Sequence, residues 1–125
     1  LGEAGSLFLT RPRLADYIAT AETFRRRAGD VFAAHACVMD AHGMKDHRLN
    51  ACGYSLGAKF TPSWMDSPMF YKDNPVVIRP GMVFFAHMIL MNSEAGAAFC
   101  LGRTYIIGEK RPEPVSKAPL GMIIR

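Results

Sequence analysis

The chain has 125 residues, 50% of them hydrophobic and 21% charged, with a formal net charge of +4. That bounds it to one ordinary domain with a real core and excludes a disordered polymer. Its basic residues are scattered, apart from the run Arg25-Arg26-Arg27, so they read as solvated helix charges and no nucleic-acid partner is expected.

The cysteines Cys37, Cys52 and Cys100 share no metal-like spacing and form no disulfide framework. Buried free thiols in a reducing, cytoplasmic compartment are the expectation. No apolar run reaches the roughly 18 residues of a membrane span, so no membrane partner is expected. The longest such run, Met82 to Met91, is interrupted by His87. The chain opens on Leu1 rather than Met, the start expected of a processed or truncated product.

Residues 5–9 read as a short extended segment, and Thr10 with Pro12 as the start of a brief helical turn. Thr20 is the cap expected for the longest helix, with Glu22 in the turn that follows. From there Phe24, Ala28, Val31, Phe32, His35, Val38, Met39 and His42 recur at helical spacing. They predict one apolar face of a helix over 21–42, with His35 and His42 as core or boundary residues. Gly29 inside it costs about 1 kcal/mol relative to alanine and predicts a bend. Gly43 is a C-terminal stop, and His47 follows on a loop from which it could face a cleft.

Residues 51–60 read as a strand rich in small side chains, and 61–75, with Pro62, Pro68 and Pro75 around Trp64, as a loop. Pro80-Gly81 is a turn signal before a long buried strand over Met82–Asn92. Asn92 to Gly96 carries hairpin-turn chemistry, and Ala97–Gly108 is its return strand. Beyond Glu109, Pro112, Pro114 and Pro119 predict an extended tail. A long helix followed by a meander is an α+β pattern. Trp64, Met65, Met69, Phe70 and Tyr71 form an apolar loop. It reads as a contact surface in preference to a lid over a small-molecule pocket.

Gly53-Tyr54-Ser55-Leu56-Gly57, followed by Pro80-Gly81-Met82-Val83-Phe84-Phe85-Ala86-His87, resembles the frame of the creatinase/prolidase/aminopeptidase-P group of pita-bread hydrolases. The helix ending at His42-Gly43 and the segment Gly102-Arg103-Thr104 extend the resemblance over about residues 28–117, the C-terminal half of such a domain. It is also similar to prolidase- or ectoine-hydrolase-like proteins that carry Gly-Tyr-Ser in place of Gly-His-Gly. The implied fold is a partial pita-bread domain, one long helix packed on an antiparallel curved sheet. Gly5-Ser-Leu-Phe-Leu-Thr-Arg-Pro12, Tyr17-Ile-Ala-Thr20 and Arg27-Ala-Gly-Asp-Val-Phe32 resemble instead the C-terminal region of a zinc-independent quinone oxidoreductase. The two resemblances imply a chimeric chain: 1–33 quinone-oxidoreductase-like, 34–117 partial pita-bread domain, 118–125 tail. The glycine-rich phosphate loop a nicotinamide would need is missing from the sequence, so no cofactor is expected.

Metallopeptidases of this group hold two divalent ions with aspartates, a histidine and glutamates. The resemblance puts Tyr54 at the histidine, His87 at the first glutamate and Arg103 at the final one. A phenol and a guanidinium do not suit a cation site, so no metal is expected. Creatinase-type members hydrolyse without metal, which implies His87 as proton carrier, Tyr54 as donor or packing residue, and Arg103 as holder of a substrate carboxylate. His87 as a satisfied core residue stands beside that reading. The intact relative would cleave a C–N bond of a small amide or amidine-like molecule. A non-catalytic binding module, associating as a homo-oligomer through a sheet edge and the aromatic loop, is the alternative.

Overall fold

The computed structural model describes residues 27–118. The readings at 5–9, at Thr10–Pro12 and at Thr20, most of the 1–33 segment and all but the first residue of the 118–125 tail lie outside these residues.

Helix α1 (Ala28–Ala41) is rich in alanine and buries Val31, Phe32, His35 and Met39 along one face. It starts later than the apolar spacing predicts. Arg27 is extended, with φ −83° and ψ 156°, and forms a bridge with Val77, so no helix runs through it. Asp30 Oδ2 accepts the Arg27 N–H at 2.8 Å. The N–H groups of Ala28 and Gly29 donate to the carbonyls of Val76 and Asn74 at 2.8 and 3.0 Å. Those donors would otherwise be left orphaned by the helix start. Gly29 marks a close approach of two backbones rather than a bend, since a Cβ there would lie 2.7 Å from the Asn74 nitrogen. At the other end Gly43 takes the left-handed φ of +71°, and Met44 N–H reaches back to the Met39 carbonyl at 2.9 Å. That is the glycine stop expected from the sequence.

The strands are β1 (Ala51–Ser55), β2 (Asp66–Tyr71), β3 (Val83–Asn92), β4 (Ala97–Ile107) and β5 (Pro112–Pro114). They form one sheet in the order β2-β1-β3-β4-β5, with every neighbouring pair antiparallel. β3 and β4 lie where the sequence places them. β1 is shorter than 51–60, and β2 lies inside the stretch expected to be a loop. Its proline, Pro68, is tolerated because β2 is an edge strand, where a missing N–H need not break a ladder. The start of the extended tail is likewise drawn into the sheet as β5, paired with Tyr105–Ile107.

β3 alternates strictly over most of its length: Phe84, Ala86, Met88 and Leu90 are buried, while Val83, Phe85, His87 and Ile89 are half-buried. The buried set joins Val31, Phe32 and Met39 of α1 in the core. Phe70 of β2 belongs to that core and not to an apolar loop, stacking on Phe84 with ring centroids 4.6 Å apart. Asn74 is a buried polar residue with its side chain satisfied: Nδ2 donates to the Met69 carbonyl at 2.6 Å, and Oδ1 accepts the Val76 N–H at 3.1 Å. Among the described residues no helix is long and apolar enough to cross a membrane.

Gly29→Ala tests the docking of the helix start. In an ordinary helix the change would stabilise by up to about 1 kcal/mol. Here the new methyl meets backbone, and a loss of about 1–3 kcal/mol in urea unfolding is expected. A gain in stability would show that the 73–76 loop yields freely.

Candidate functional site

The site follows from strand register. β3 and β4 pair from Val83↔Ile106 through to Asn92↔Ala97 without a break, and residues directly opposite share a face of the sheet. Tyr54 of β1 sits opposite Phe85, which is opposite Thr104. His87 faces Gly102, and Ile89 faces Cys100. Tyr54, Phe85, His87 and Cys100 therefore lie together on the face turned away from the buried β3 residues, here called the open face, although Tyr54 is itself buried at 6% exposure.

Their rings touch. Tyr54 meets His87 edge-on at a centroid separation of 5.9 Å and Phe85 at 5.6 Å, while Phe85 and His87 lie 4.9 Å apart. A Cβ on Gly102 would come within 2.4 Å of Phe85 Cζ, so the glycine lets the Phe85 ring lie across β4 beside His87. His87 Nε2 is 3.1 Å from Cys100 Sγ. Burial pushes the Cys100 thiol up from its ordinary pKa.

Arg103 is not part of this group. Its register partner is Ala86, a buried core residue, so Arg103 belongs to the helix side of the sheet. Its Nη2 donates to the Ala118 carbonyl, and next to it Val115 N–H donates to the Thr104 carbonyl at 2.9 Å. The three residues expected to share a cleft thus divide: Tyr54 and His87 together, Arg103 behind them, tying down the chain after β5. Gly102 is the β4 residue that faces His87.

No carboxylate joins this group, so a bridged pair of hard divalent ions does not fit it. The open face offers a phenol, an imidazole and a thiol, with glycine opposite the imidazole. Among the described residues no three His, Cys, Asp or Glu side chains gather into a possible metal-binding group.

The other histidines lie elsewhere. His35 is in the core, as its spacing predicts, beside Phe32 at 6.2 Å, with Nδ1 making no hydrogen bond. Burial, and then the Arg48 cation, push its pKa down to about 4, with Asp40 opposing. His42 is exposed rather than core or boundary, and its Nδ1–H donates to the Val38 carbonyl at 2.8 Å. His47 Nδ1–H donates to the Met91 carbonyl at 3.2 Å, far along β3 from Tyr54. Next to it Arg48 grips Asp40 through Nε and Nη2 at 2.6 and 3.1 Å and stacks over Phe32 at 5.5 Å. Those hydrogen bonds hold the Asp40 carboxyl below the usual carboxylate range.

Sequence reasoning passed over Cys100 because the cysteines, taken as a set, have no motif spacing and read as buried thiols, whereas Cys37 and Cys100 are exposed and Cys52 alone is buried. The signal was the hairpin turn: counting back from Asn92–Gly96 puts Cys100 diagonally across from His87, within reach of an imidazole.

The architecture has clear counterparts. An X-Pro aminopeptidase from Thermotoga maritima MSB8 superposes with a TM-score of 0.79 over 95% of this chain and 32% of its own, at 11% identity. Dipeptidase PepE from Mycobacterium ulcerans gives 0.81 over 98% and 32%, at 15% identity. The Xaa-Pro dipeptidase from Bacillus anthracis gives 0.80 over 98% and 32%, at 14% identity. The chain has part of the pita-bread fold. It spans about a third of the length of these peptidases. At such identities the likeness is one of fold. No protein-family model matches the sequence, and no curated protein matches it.

His35 makes stability depend on pH. Its folded pKa, about 4, lies below the unfolded value of 6.5. The stabilisation is therefore full above pH 6.5 and is lost as the pH falls towards 4. The expected loss is up to about 3 kcal/mol. Urea unfolding across that range should show it for the native chain, and His35→Leu should flatten the slope. A slope unchanged in the variant would assign the effect to other groups.

Proposed function

We propose that the chain is the C-terminal part of a creatinase/prolidase-like hydrolase domain that works without metal. In intact form it would cleave the C–N bond of a small amide or amidine-like substrate. The edge-on contact of His87 with Tyr54 on the open face carries this reading. It sets a group able to move protons beside a hydroxyl donor, on a strand backed by the core.

In such a site His87 takes a proton from the attacking group and returns it to the leaving nitrogen, while the Tyr54 hydroxyl donates to the carbonyl oxygen as charge develops there. A substrate carboxylate would need a cation other than Arg103, which is engaged behind the sheet. A cytoplasmic setting, where the three cysteines stay reduced, belongs to the same reading. About two thirds of the length of the matched peptidases has no counterpart in this chain.

A second reading, a homo-oligomerising interaction module, is favoured by Phe60, Trp64 and Met65, which are 81%, 55% and 50% exposed just before edge strand β2.

The test is hydrolysis of Xaa-Pro dipeptides and small amidines, with and without a chelator. Turnover unaffected by the chelator is expected, reduced about 100-fold or more by His87→Ala and about tenfold by Tyr54→Phe. Turnover abolished by the chelator, or indifferent to His87→Ala, would sink the proposal. Self-association in sedimentation without any turnover would favour the module.

A further inference from the structure

Among the described residues of the open face, Cys100 carries a thiol that the hydrolysis proposed above leaves unused. We infer that Cys100 and His87 form a thiol–imidazole pair in which Sγ is the nucleophile towards an acyl carbon and Nε2 is its base. The inference deepens the hydrolase reading and takes its substrate class, a small amide, from it.

Three observations carry it. Sγ and Nε2 are 3.1 Å apart, and Cys100 is exposed, so an incoming carbonyl can reach the sulfur. The imidazole is held by Tyr54 at its edge and by Phe85 beside it, so its orientation does not depend on the thiol alone. The residues that deliver the pair lie on β3 and β4, whose register is continuous. The other cysteines differ. Cys52 is fully buried, with its pKa pushed up to about 12, and Cys37 lies exposed on α1 with no histidine hydrogen-bonded to it among the described residues. Because burial raises the Cys100 thiol as well, the free thiolate is scarce near neutrality and a base must take the proton during attack.

The step balances without an oxidant or reductant. The Sγ–carbon bond forms as the carbon–nitrogen bond breaks. The thiol proton passes to Nε2 and then to the leaving nitrogen, giving an acyl thioester on Cys100 and a free amine. Water, deprotonated by Nε2, then cleaves the thioester, releasing the acid and restoring the thiol.

The experiment treats the full chain with p-nitrophenyl acetate near neutral pH and locates the acetyl groups by peptide mass spectrometry. Cys100 should acetylate at least about tenfold faster than Cys37, with Cys52 unmodified. His87→Gln should remove that advantage while leaving the Cys37 rate unchanged, and the variant should recover as hydroxide supplies the base at about pH 10. Should the variant fail to fold, the native chain at neutral pH still gives the Cys100-to-Cys37 ratio as the readout. Equal rates at Cys100 and Cys37, or a Cys100 rate unaltered by His87→Gln, would overturn the inference. Ester acetylation needs neither an amide substrate nor the rest of the fold, so the pair can stand where amide turnover fails. Amide turnover that survives Cys100→Ser would keep the hydrolase reading and remove the thiol from it.

Discussion

The pairing of β3 with β4 is the constraint from which the rest of the molecule follows. Side chains alternate across a strand, so a fixed register assigns each residue of β3 to one of two environments. Phe84, Ala86, Met88 and Leu90 go to the core, and Phe85, His87 and Ile89 go to the open face. A slip of one residue would exchange the two sets, exposing the core side chains and burying the imidazole. The hairpin resists that slip at its turn, where Asn92 Oδ1 accepts the Ala95 N–H at 2.9 Å and Gly96 takes a φ of +60°. The register also brings Cys100 to His87 and sends Arg103 to the other side.

Helix and sheet meet through a second constraint, the backbone junction at Gly29 and Asn74. The first helical N–H groups find carbonyls in the loop after β2, and that loop is itself folded around the Asn74 amide. The junction fixes where α1 begins, and with it which of its residues meet Phe70 and Phe84. One cost of this arrangement is visible at His35, which is carried into the core with a ring nitrogen lacking a partner. A neutral imidazole tolerates that position and a charged one does not. The Arg48–Asp40 pair, stacked on Phe32, places its cation close enough to add to the penalty on protonation.

Much of this was legible in the sequence, for identifiable reasons. The α1 stripe, its Gly43 stop and the β3–β4 hairpin are written in apolar periodicity and turn residues, which are local signals. β2 was hidden because its proline reads as a strand breaker, and only its place at the sheet edge makes that proline acceptable. The Arg27 boundary was hidden because the donors of α1 are satisfied by residues some 45 positions away, as the Ala28–Val76 and Gly29–Asn74 bonds show. Motif order paired Arg103 with His87 because it counts residues along the chain, whereas the faces of a sheet are set by parity across the ladder. A register count from the turn separates the two residues and selects Gly102 and Cys100 in place of Arg103.

The same distinction between local and distant contacts bears on what this chain can do by itself. Its length matches about a third of the peptidases that share its fold, so any cleft wall built elsewhere in such a domain is not among its described strands. Tyr54 reaches His87 from β1, and that contact needs the β1–β3 pairing, which runs over Gly53–Ser55. The His87–Cys100 contact needs only the long hairpin and its turn. The part of the open face that depends least on missing structure is therefore the imidazole and its thiol. One long hairpin with a fixed register is enough to hold the two side chains at hydrogen-bonding distance.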